Sequence, residues 1–288
     1  MSENKQIDEL SGVETTGHEW DGIQELNNPM PRWWLWTFYA TIVWALAYTI
    51  AYPAWPMISS ATTGVLGYSS RAEVRSELAA AEAAKGDYVE AIKSASLDQI
   101  MADPTLRQFA TAAGSASFKV NCIQCHGSGA QGSPGFPNLN DDEWLWGGNI
   151  NQIYKTIAHG IRFPGDEETH ISEMPAFADV LEPKQINEVA AYVASLSGKA
   201  DTPELVPAGA KVFADNCAAC HGENAKGNKD LGAPDLTDAI TLYGEGQAAI
   251  ARQIRHPKHG VMPAWGTRLG DVNVKELAVF VHSLGGGQ

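Results

Sequence analysis

The chain has 288 residues and a formal net charge of −14 at pH 7. This length accommodates about two domains, and a content of 44% hydrophobic residues with nine tryptophans excludes a disordered chain. The acidic balance excludes a typical nucleic-acid-binding protein, whose binding surface is basic, and it favours a protein partner with a basic patch.

The first 31 residues form a polar and acidic segment. It contains several glycine, asparagine and proline residues and ends in Asn27-Asn28-Pro29-Met30-Pro31. Such a composition buries too little apolar surface to offset the entropy lost on ordering. We therefore predict that residues 1–31 are a mostly irregular tail that orders only against a partner.

An uncharged segment follows the tail. No charged residue occurs from Trp33 to Ser70, and the apolar part up to Tyr52 reaches the length of about 20 residues that a helix needs to span a bilayer. Two prolines then end or kink the helix. We predict a transmembrane anchor over residues 32–58, because aromatic residues flank it as interfacial belts would, namely Trp33, Trp34, Trp36, Tyr48, Tyr52 and Trp55.

Two other interpretations of this segment are a buried core helix and a cleaved signal peptide. A core helix is seldom so aromatic, and a signal peptide has a basic N-terminal region and a shorter apolar run. The acidic tail and the full length of the segment therefore favour a retained anchor. Basic residues do not give its orientation, because Arg32 flanks one side and Arg71 and Arg75 flank the other.

Residues 59–108 are predicted to form a helical spacer. Ser70-Arg71-Ala72-Glu73 has the pattern of a capping box and opens a helix that runs to about Ala84. Gly86-Asp87 is expected to break this helix, and a second helix is predicted over residues 88–101. No residue pattern in the spacer indicates chemistry.

Two copies of Cys-x-x-Cys-His contain all four cysteines of the chain: Cys122, Cys125 and His126 in the first, and Cys217, Cys220 and His221 in the second. On a helix these positions share one face, so two thiols reach one edge of a porphyrin while the imidazole faces its iron. The spacing is the signature of covalent haem c attachment. A zinc site would not require a histidine after each second cysteine, and a thioredoxin-like redox pair would not be duplicated. We predict two covalently bound haem c groups.

The two motifs belong to an internal repeat. Each is preceded by Gly-x3-Phe-x2-Asn, and each unit later contains Pro-Asn/Asp-Leu, His-Gly and Met-Pro-Ala-aromatic segments. Both units close with an amphipathic helix, since the stretch from Ile186 to Leu196 aligns without a gap on that from Val274 to Leu284. Residues 198–207, rich in glycine, proline and polar side chains, join the two units.

Each unit offers a methionine or a histidine as the second axial iron ligand. Met174 and Met262 occupy matching positions in the two units, so we predict histidine–methionine coordination at both irons. His159 and His259 also recur, and bis-histidine coordination at one haem is the alternative, although a histidine at a helix end can simply cap carbonyl groups. The spacing leaves open whether each methionine serves the haem of its own unit or that of the other.

Further residues are expected near the haems. The candidates to pair with the propionates are Arg162, Arg252 and Arg255. The candidates to pack in the pockets are Trp144, Trp146 and Trp265. The histidines without a counterpart in the other repeat are expected at the surface or behind the ligands, namely His170, His256 and His282.

The repeat resembles the small class I cytochrome c domain. The resemblance implies a mainly α fold in which a transmembrane helix and a helical spacer precede two tandem class I cytochrome c domains, at residues 109–199 and 204–288. In that family the first helix of a domain crosses its last helix, which would pair Phe118 with Tyr192 and Phe213 with Phe280. The family's second iron ligand is a methionine often found in Met-Pro, as at Met174 and Met262.

The order of anchor, spacer and two cytochrome c domains is similar to the dihaem subunit of cbb3-type cytochrome c oxidases, the CcoP/FixP family. The tail shares the family's segments His18-Glu19-Trp20-Asp21-Gly22-Ile23, Asn28-Pro29 and Trp33-Trp34. The resemblance implies an electron-transfer subunit that is not an enzyme by itself. It would accept electrons from a donor cytochrome c or the quinol–cytochrome c reductase, and pass them to a monohaem subunit and the haem–copper catalytic subunit of a proton-pumping oxygen reductase.

The expected location is a bacterial inner membrane. Haem c is attached outside the cytoplasm, so the haem domains should be periplasmic and the N-terminus cytoplasmic. One alternative function is a dihaem electron-transfer subunit of another periplasmic dehydrogenase or reductase complex. A second alternative, from a different class, is a dihaem peroxidase, which needs an open sixth position at one iron. The Met-Pro segment in both units argues against a peroxidase.

Overall fold

The computed structural model describes residues 6–238 and 241–285. Residues 1–5 of the predicted tail, and residues 239–240 and 286–288 of the second predicted cytochrome c domain, lie outside the described residues. The chain divides into two compact units, Met1–Ala84 and Lys85–Gln288.

The tail contains a β-hairpin. Strand β1 (Thr15–Trp20) pairs antiparallel with strand β2 (Ile23–Leu26). The two residues between them, Asp21 and Gly22, have φ values of 49° and 81°, as a two-residue hairpin turn of the primed type requires. The prediction of a mostly irregular tail was therefore wrong, because Asp-Gly is a strong local signal for this turn.

Helix α1 (Arg32–Ala51) is the apolar segment of the first unit. Its 20 residues correspond to a length of about 30 Å, the thickness of a bilayer's hydrocarbon core. None of its side chains is buried within the chain. It ends where Tyr52 becomes extended, directly before Pro53. The predicted apolar helix is confirmed over residues 32–51, but it ends before the predicted boundary of the anchor at residue 58.

The spacer region contains helix α2 (Ser70–Ser94) and helix α3 (Leu97–Ala102). The predicted break at Gly86-Asp87 was wrong, because α2 continues through it. A single glycine costs a helix about 1 kcal/mol and does not end it. The chain instead breaks at Ser96, whose hydroxyl accepts from the Gln99 N–H in a capping box. At the N-terminus of α2, the Ser69 hydroxyl accepts a hydrogen bond from the Ala72 N–H. The capping side chain is therefore that of Ser69, and not that of Ser70 as the sequence pattern predicted.

The unit Lys85–Gln288 is mainly helical, as expected. Its helices recur in the same order in the two repeats. After α3 they are α4 (Pro104–Asn121), α5 (Ile123–His126), α6 (Ile150–His159), α7 (Pro183–Leu196), a 3-10 turn (Pro203–Leu205), α8 (Val206–Asn216), α9 (Ala218–His221), α10 (Gln247–Arg255) and α11 (Gly266–His282).

The closing helices of the two repeats are exchanged. Helix α4 of the first repeat packs against α11 of the second, and α7 of the first packs against α8 of the second. The ring centroids of Phe118 and Phe280 are 5.3 Å apart, and those of Tyr192 and Phe213 are 5.2 Å apart. The predicted pairs of Phe118 with Tyr192 and Phe213 with Phe280 were therefore wrong. Only residues 197–205 separate α7 from α8, and helices joined by a short connection tend to pack as neighbours.

Two hydrophobic cores result from this exchange. The first core combines α3, α4 and α6 with α11, and its buried side chains include Ile100, Phe118, Ile153 and Leu277. The second core combines α7, α8 and α10, and its buried side chains include Ile186, Val189, Phe213 and Ile254. Each core therefore combines residues from both repeats. The first core also includes residues of the spacer, such as Ile100.

A glycine lies at each helix crossing. A Cβ on Gly114 of α4 would overlap the backbone carbonyl of Glu276 in α11, and a Cβ on Gly209 of α8 would overlap that of Glu188 in α7. Only glycine permits backbones to approach so closely. The Gly-x3-Phe pattern thus places a flat surface and an aromatic ring against the closing helix of the other repeat.

We expect Gly114→Ala to lower the free energy of unfolding of the first core by about 1–3 kcal/mol, because α11 must move away. Gly86→Ala is the matched control: Gly86 is also helical, but its Cβ would meet open space. That control should raise stability by about 0.5–1 kcal/mol through helix propensity. Thermal or urea unfolding measures both changes, and equal effects of the two substitutions would contradict the close crossing.

Candidate functional site: two haem-binding lobes

Both Cys-x-x-Cys-His motifs lie on a helical turn that directly follows the first helix of the repeat. His126 Nδ1 lies 3.1 Å from the carbonyl oxygen of Pro137, and His221 Nδ1 lies 3.3 Å from that of Pro234. A carbonyl only accepts hydrogen bonds, so each Nδ1 carries the proton and each Nε2 keeps a free lone pair. Burial lowers the pKa of both imidazoles, which favours the neutral form that binds a metal.

The cysteines have the same arrangement in the two repeats. Cys122 and Cys217 are half-buried, whereas Cys125 and Cys220 are exposed, and none of the four forms a disulfide. Burial raises the pKa of Cys122 and of Cys217 to about 11. The inner sulfur of each pair is thus shielded from solvent, and the outer sulfur marks the edge of the site that solvent reaches.

A cavity in the first core joins the two repeats. It encloses about 100 Å³ that a water-sized sphere can reach, it is lined mainly by apolar side chains, and part of it is open to solvent. His126 and Cys122 of the first repeat line it together with Met262 of the second. A histidine nitrogen and a thioether in one apolar cavity are a suitable donor set for a low-spin haem iron.

The second core has the complementary arrangement. Met174 of the first repeat packs against the second core, as do Cys217 and Leu236 of the second repeat. The methionine segment is attached there by its backbone, because the Phe177 N–H donates to the carbonyl of Ile254 at 3.1 Å. Each methionine therefore lies in the lobe that holds the Cys-x-x-Cys-His of the other repeat.

The competing histidines have other partners or positions. His159 Nδ1 lies 3.1 Å from Asp166, and its Nε2 lies 3.5 Å from Glu168, so both ring nitrogens face carboxylates. His170 stacks on Trp146 at 4.1 Å, with its Nε2 3.2 Å from the Thr156 hydroxyl. These contacts argue against bis-histidine coordination through His159. His259 and His282 are half-buried and His256 is exposed.

The tryptophans predicted to pack in the pocket line the first cavity, namely Trp144, Trp146 and Trp265. The indole N–H of Trp144 is buried and has no hydrogen-bond partner among the described residues. A buried donor is normally satisfied, so an acceptor on a bound cofactor, such as a propionate, fits this position. The residues present therefore suit a haem in this cavity.

The arginines predicted to pair with propionates differ in their surroundings. Arg255 donates to the side-chain oxygen of Asn187 at 2.9 Å, and Arg252 is exposed. Arg162 donates to two backbone carbonyl groups, which belong to Gly260 and Ser172. Arg162 therefore binds the backbone of both repeats, at Ser172 in the first and at Gly260 in the second.

Glu143 lines the first cavity and was missed by the sequence reasoning, because two of the acidic residues near it, Asp235 and Asp238, belong to the other repeat. Burial, together with a hydrogen bond to Asp238 and the charges of Asp238, Asp235 and Asp142, raises the pKa of Glu143 to about 8. The folded protein therefore keeps a proton on this carboxyl at pH values where the unfolded chain has lost it.

The pKa of Glu143 predicts a pH-dependent stability. The folded state binds this proton more tightly than the unfolded state, so its contribution is complete below about pH 4.5 and is lost as pH rises to about 8 and above. We expect Glu143→Gln to stabilise the protein relative to the parent increasingly over this range, as measured by thermal unfolding at a series of pH values. The exposed Glu223 in the loop after the second motif supplies the control Glu223→Gln. A stability difference independent of pH would contradict this account.

Comparison with known proteins agrees with this architecture. The family described as the N-terminal domain of cytochrome oxidase-cbb3, FixP, matches residues 12–59, cytochrome c matches residues 111–197, and cytochrome c oxidase, cbb3-type, subunit III matches residues 204–281. The chain is 64% identical to the cbb3-type cytochrome c oxidase subunit FixP of Rhizobium meliloti (strain 1021) over 99% of both chains. It is 52% identical to the subunit CcoP of Cereibacter sphaeroides over 95% of both chains. The chain belongs to the FixP/CcoP family of cbb3-type cytochrome c oxidase subunits.

Proposed function

We propose that this chain is the electron-transfer subunit of a cbb3-type oxidase and carries two haem c groups in exchanged lobes. Cys122, Cys125 and His126 bind the first haem, with Met262 as the second axial ligand. The second haem is held by Cys217, Cys220 and His221, with Met174 as the second axial ligand. The observation that supports this most strongly is that His126 and Met262 line one apolar cavity. In this proposal residues 109–199 and 204–288 are the two cytochrome c domains of the sequence, and each lobe takes parts of both.

The residues of each lobe suit outer-sphere electron transfer. Haem c supplies an iron that changes between ferrous and ferric states. The hydrogen bond from His126 Nδ1 to Pro137 fixes the ring so that Nε2 points away from the backbone carbonyl. A methionine thioether as an iron ligand would favour the ferrous form and raise the reduction potential. If the histidine and the methionine of a lobe both held the iron, no position would remain for oxygen, and oxygen reduction would take place on another subunit.

The family and the surface of the chain support the following partners for this proposal. Electrons arrive from a donor cytochrome c or the quinol–cytochrome c reductase and leave through a monohaem subunit to the haem–copper catalytic subunit, where proton pumping is coupled to oxygen reduction. The exposed Cys125 and Cys220 place one edge of each haem near solvent, where a partner can approach. The net charge of −14 attracts a donor with a basic patch.

Helix α1 anchors the chain in the inner membrane, with the N-terminus in the cytoplasm and the haem lobes in the periplasm. Support for this orientation comes from the chemistry of attachment, because the thiols of Cys-x-x-Cys-His are joined to haem outside the cytoplasm. The exposed surface of α1, which carries no charged side chain after Arg32, supports its contact with lipid.

The proposal is tested by purification of the chain from native membranes in mild detergent, with reduced-minus-oxidised spectra and carbon monoxide binding on the same sample. We expect haem b, copper and a monohaem cytochrome c to accompany the chain. Isolation with a dehydrogenase would contradict the oxidase assignment. A high-spin haem c with peroxide turnover would indicate the dihaem peroxidase instead.

A further inference from the structure

Arg162 lies where the two methionine segments meet. Its Nε donates to the carbonyl of Gly260 at 2.8 Å, and its Nη1 donates to the carbonyl of Ser172 at 2.8 Å. Gly260 precedes Met262 by two residues, and Ser172 precedes Met174 by two residues. One guanidinium therefore contacts the backbone of both methionine segments at equivalent positions.

The backbone around Arg162 reinforces this connection. The N–H of the preceding residue, Ile161, donates to the carbonyl of Met262 at 2.9 Å, and the Met262 N–H donates back to the Ile161 carbonyl at 3.0 Å. The Arg162 N–H donates to the carbonyl of His170 at 2.6 Å. Residues 160–162 are thus bonded on one side to the segment of Met262 and on the other to the segment of Met174.

The conformation of this segment is unusual. Arg162 has a φ of 51°, in the left-handed region that a residue with a side chain seldom adopts. Gly160 has a φ of 71°, and a Cβ there would overlap the carbonyl of Met262. Such backbone strain persists only where the surrounding contacts compensate for it, and it is often found at functional sites. Here the compensation is the set of hydrogen bonds to the two methionine segments.

We propose that Arg162 is a positioning residue for the second axial ligands of both haems. This proposal rests on the assignment of Met262 and Met174 as those ligands. Because a guanidinium has a rigid planar fork, its two hydrogen bonds fix the distance between the two segments. Loss of either bond frees a carbonyl and loosens the segment that carries it. The iron–methionine bonds of the two haems are therefore coupled through one side chain.

The test compares Arg162→Gln and Arg162→Lys with Met174→Ala and Met262→Ala, all in the full chain assembled in its membrane complex. Redox titration, the weak red absorption band of a methionine–ferric haem bond, and carbon monoxide binding are recorded. We expect each methionine variant to change one haem. Each Arg162 variant should lower the potential of both haems and make a fraction of each reactive to carbon monoxide. Arg107→Gln is the matched control, because Arg107 also donates to a backbone carbonyl, that of Met101, which belongs to neither methionine segment.

Hydrogen exchange separates positioning from general folding. In Arg162→Lys the amides of residues 160–174 and 260–264 should exchange at least about tenfold faster, with α4 and α8 unchanged. A change in one haem only, no change in either, or a uniform loss of protection across the chain would each overturn the proposal. If Met174→Ala and Met262→Ala alter neither haem, the assignment of these methionines as ligands is wrong. That outcome is distinct from a failure of the Arg162 proposal alone, in which the methionine variants change the haems and the Arg162 variants do not.

Discussion

Leu277→Ala is expected to destabilise the lobe that holds the haem of the first repeat, although Leu277 belongs to the second repeat. Its side chain is 1% exposed, lies in α11 and lines the cavity that contains His126. Removing a fully buried leucine costs about 2–5 kcal/mol, which is a large part of a typical stability of about 5–15 kcal/mol. Hydrogen exchange should show that α4 loses protection.

Ile186→Ala is the reciprocal variant. Ile186 is 2% exposed and lies in α7, in the second core. Its truncation should lower the protection of α8 by a similar free energy and leave α4 unchanged. If Leu277→Ala instead destabilised α8, or Ile186→Ala destabilised α4, the closing helices would pack within their own repeats and the exchange would be wrong.

Met262→Ala and Met174→Ala are expected to have the largest effects on the haems. Each removes a thioether ligand, so the potential of one haem should fall by on the order of 100 mV, since axial ligands span about 0.8 V. The open position should bind carbon monoxide. Covalent attachment should remain, because the thioether bonds to cysteine do not involve methionine.

Redox titration and carbon monoxide difference spectra of the two variants measure these changes. His126→Ala provides the comparison, because loss of the proximal ligand should impair the first site more severely than Met262→Ala does. Unchanged titrations and spectra in both methionine variants would contradict the ligand assignment.

Local patterns determined much of what the sequence could predict. Cys-x-x-Cys-His specifies its own turn of helix, as seen at His126 and His221. The uncharged run that begins at Trp33 predicted an apolar helix at the position of α1, although α1 ends at Ala51 rather than at residue 58. The hairpin could also have been predicted, because Asp21-Gly22 is a typical hairpin turn sequence. The polar composition of the tail had instead favoured an irregular segment. The prediction that the helix breaks at Gly86 was wrong, because one glycine weakens a helix without ending it.

The exchange of helices could not be predicted, because the repeats are too similar. The closing helices align without a gap and place equivalent residues, such as Glu188 and Glu276, at the crossing. Either helix therefore fits either partner, and the choice depends on chain connectivity in three dimensions. The contacts of Glu143 with Asp238 and of Arg162 with Gly260 were missed for the same reason, since these partners lie in the other repeat.

Single-haem chains offer the most direct test of the exchanged lobes. Cys217→Ala with Cys220→Ala leaves only the haem at Cys122 and Cys125. In this background, redox titration and carbon monoxide binding are measured with either Met262→Ala or Met174→Ala added. The exchanged arrangement predicts that Met262→Ala lowers the potential and permits carbon monoxide binding, whereas Met174→Ala does neither. The opposite result, with Met174→Ala opening this haem, would contradict the account.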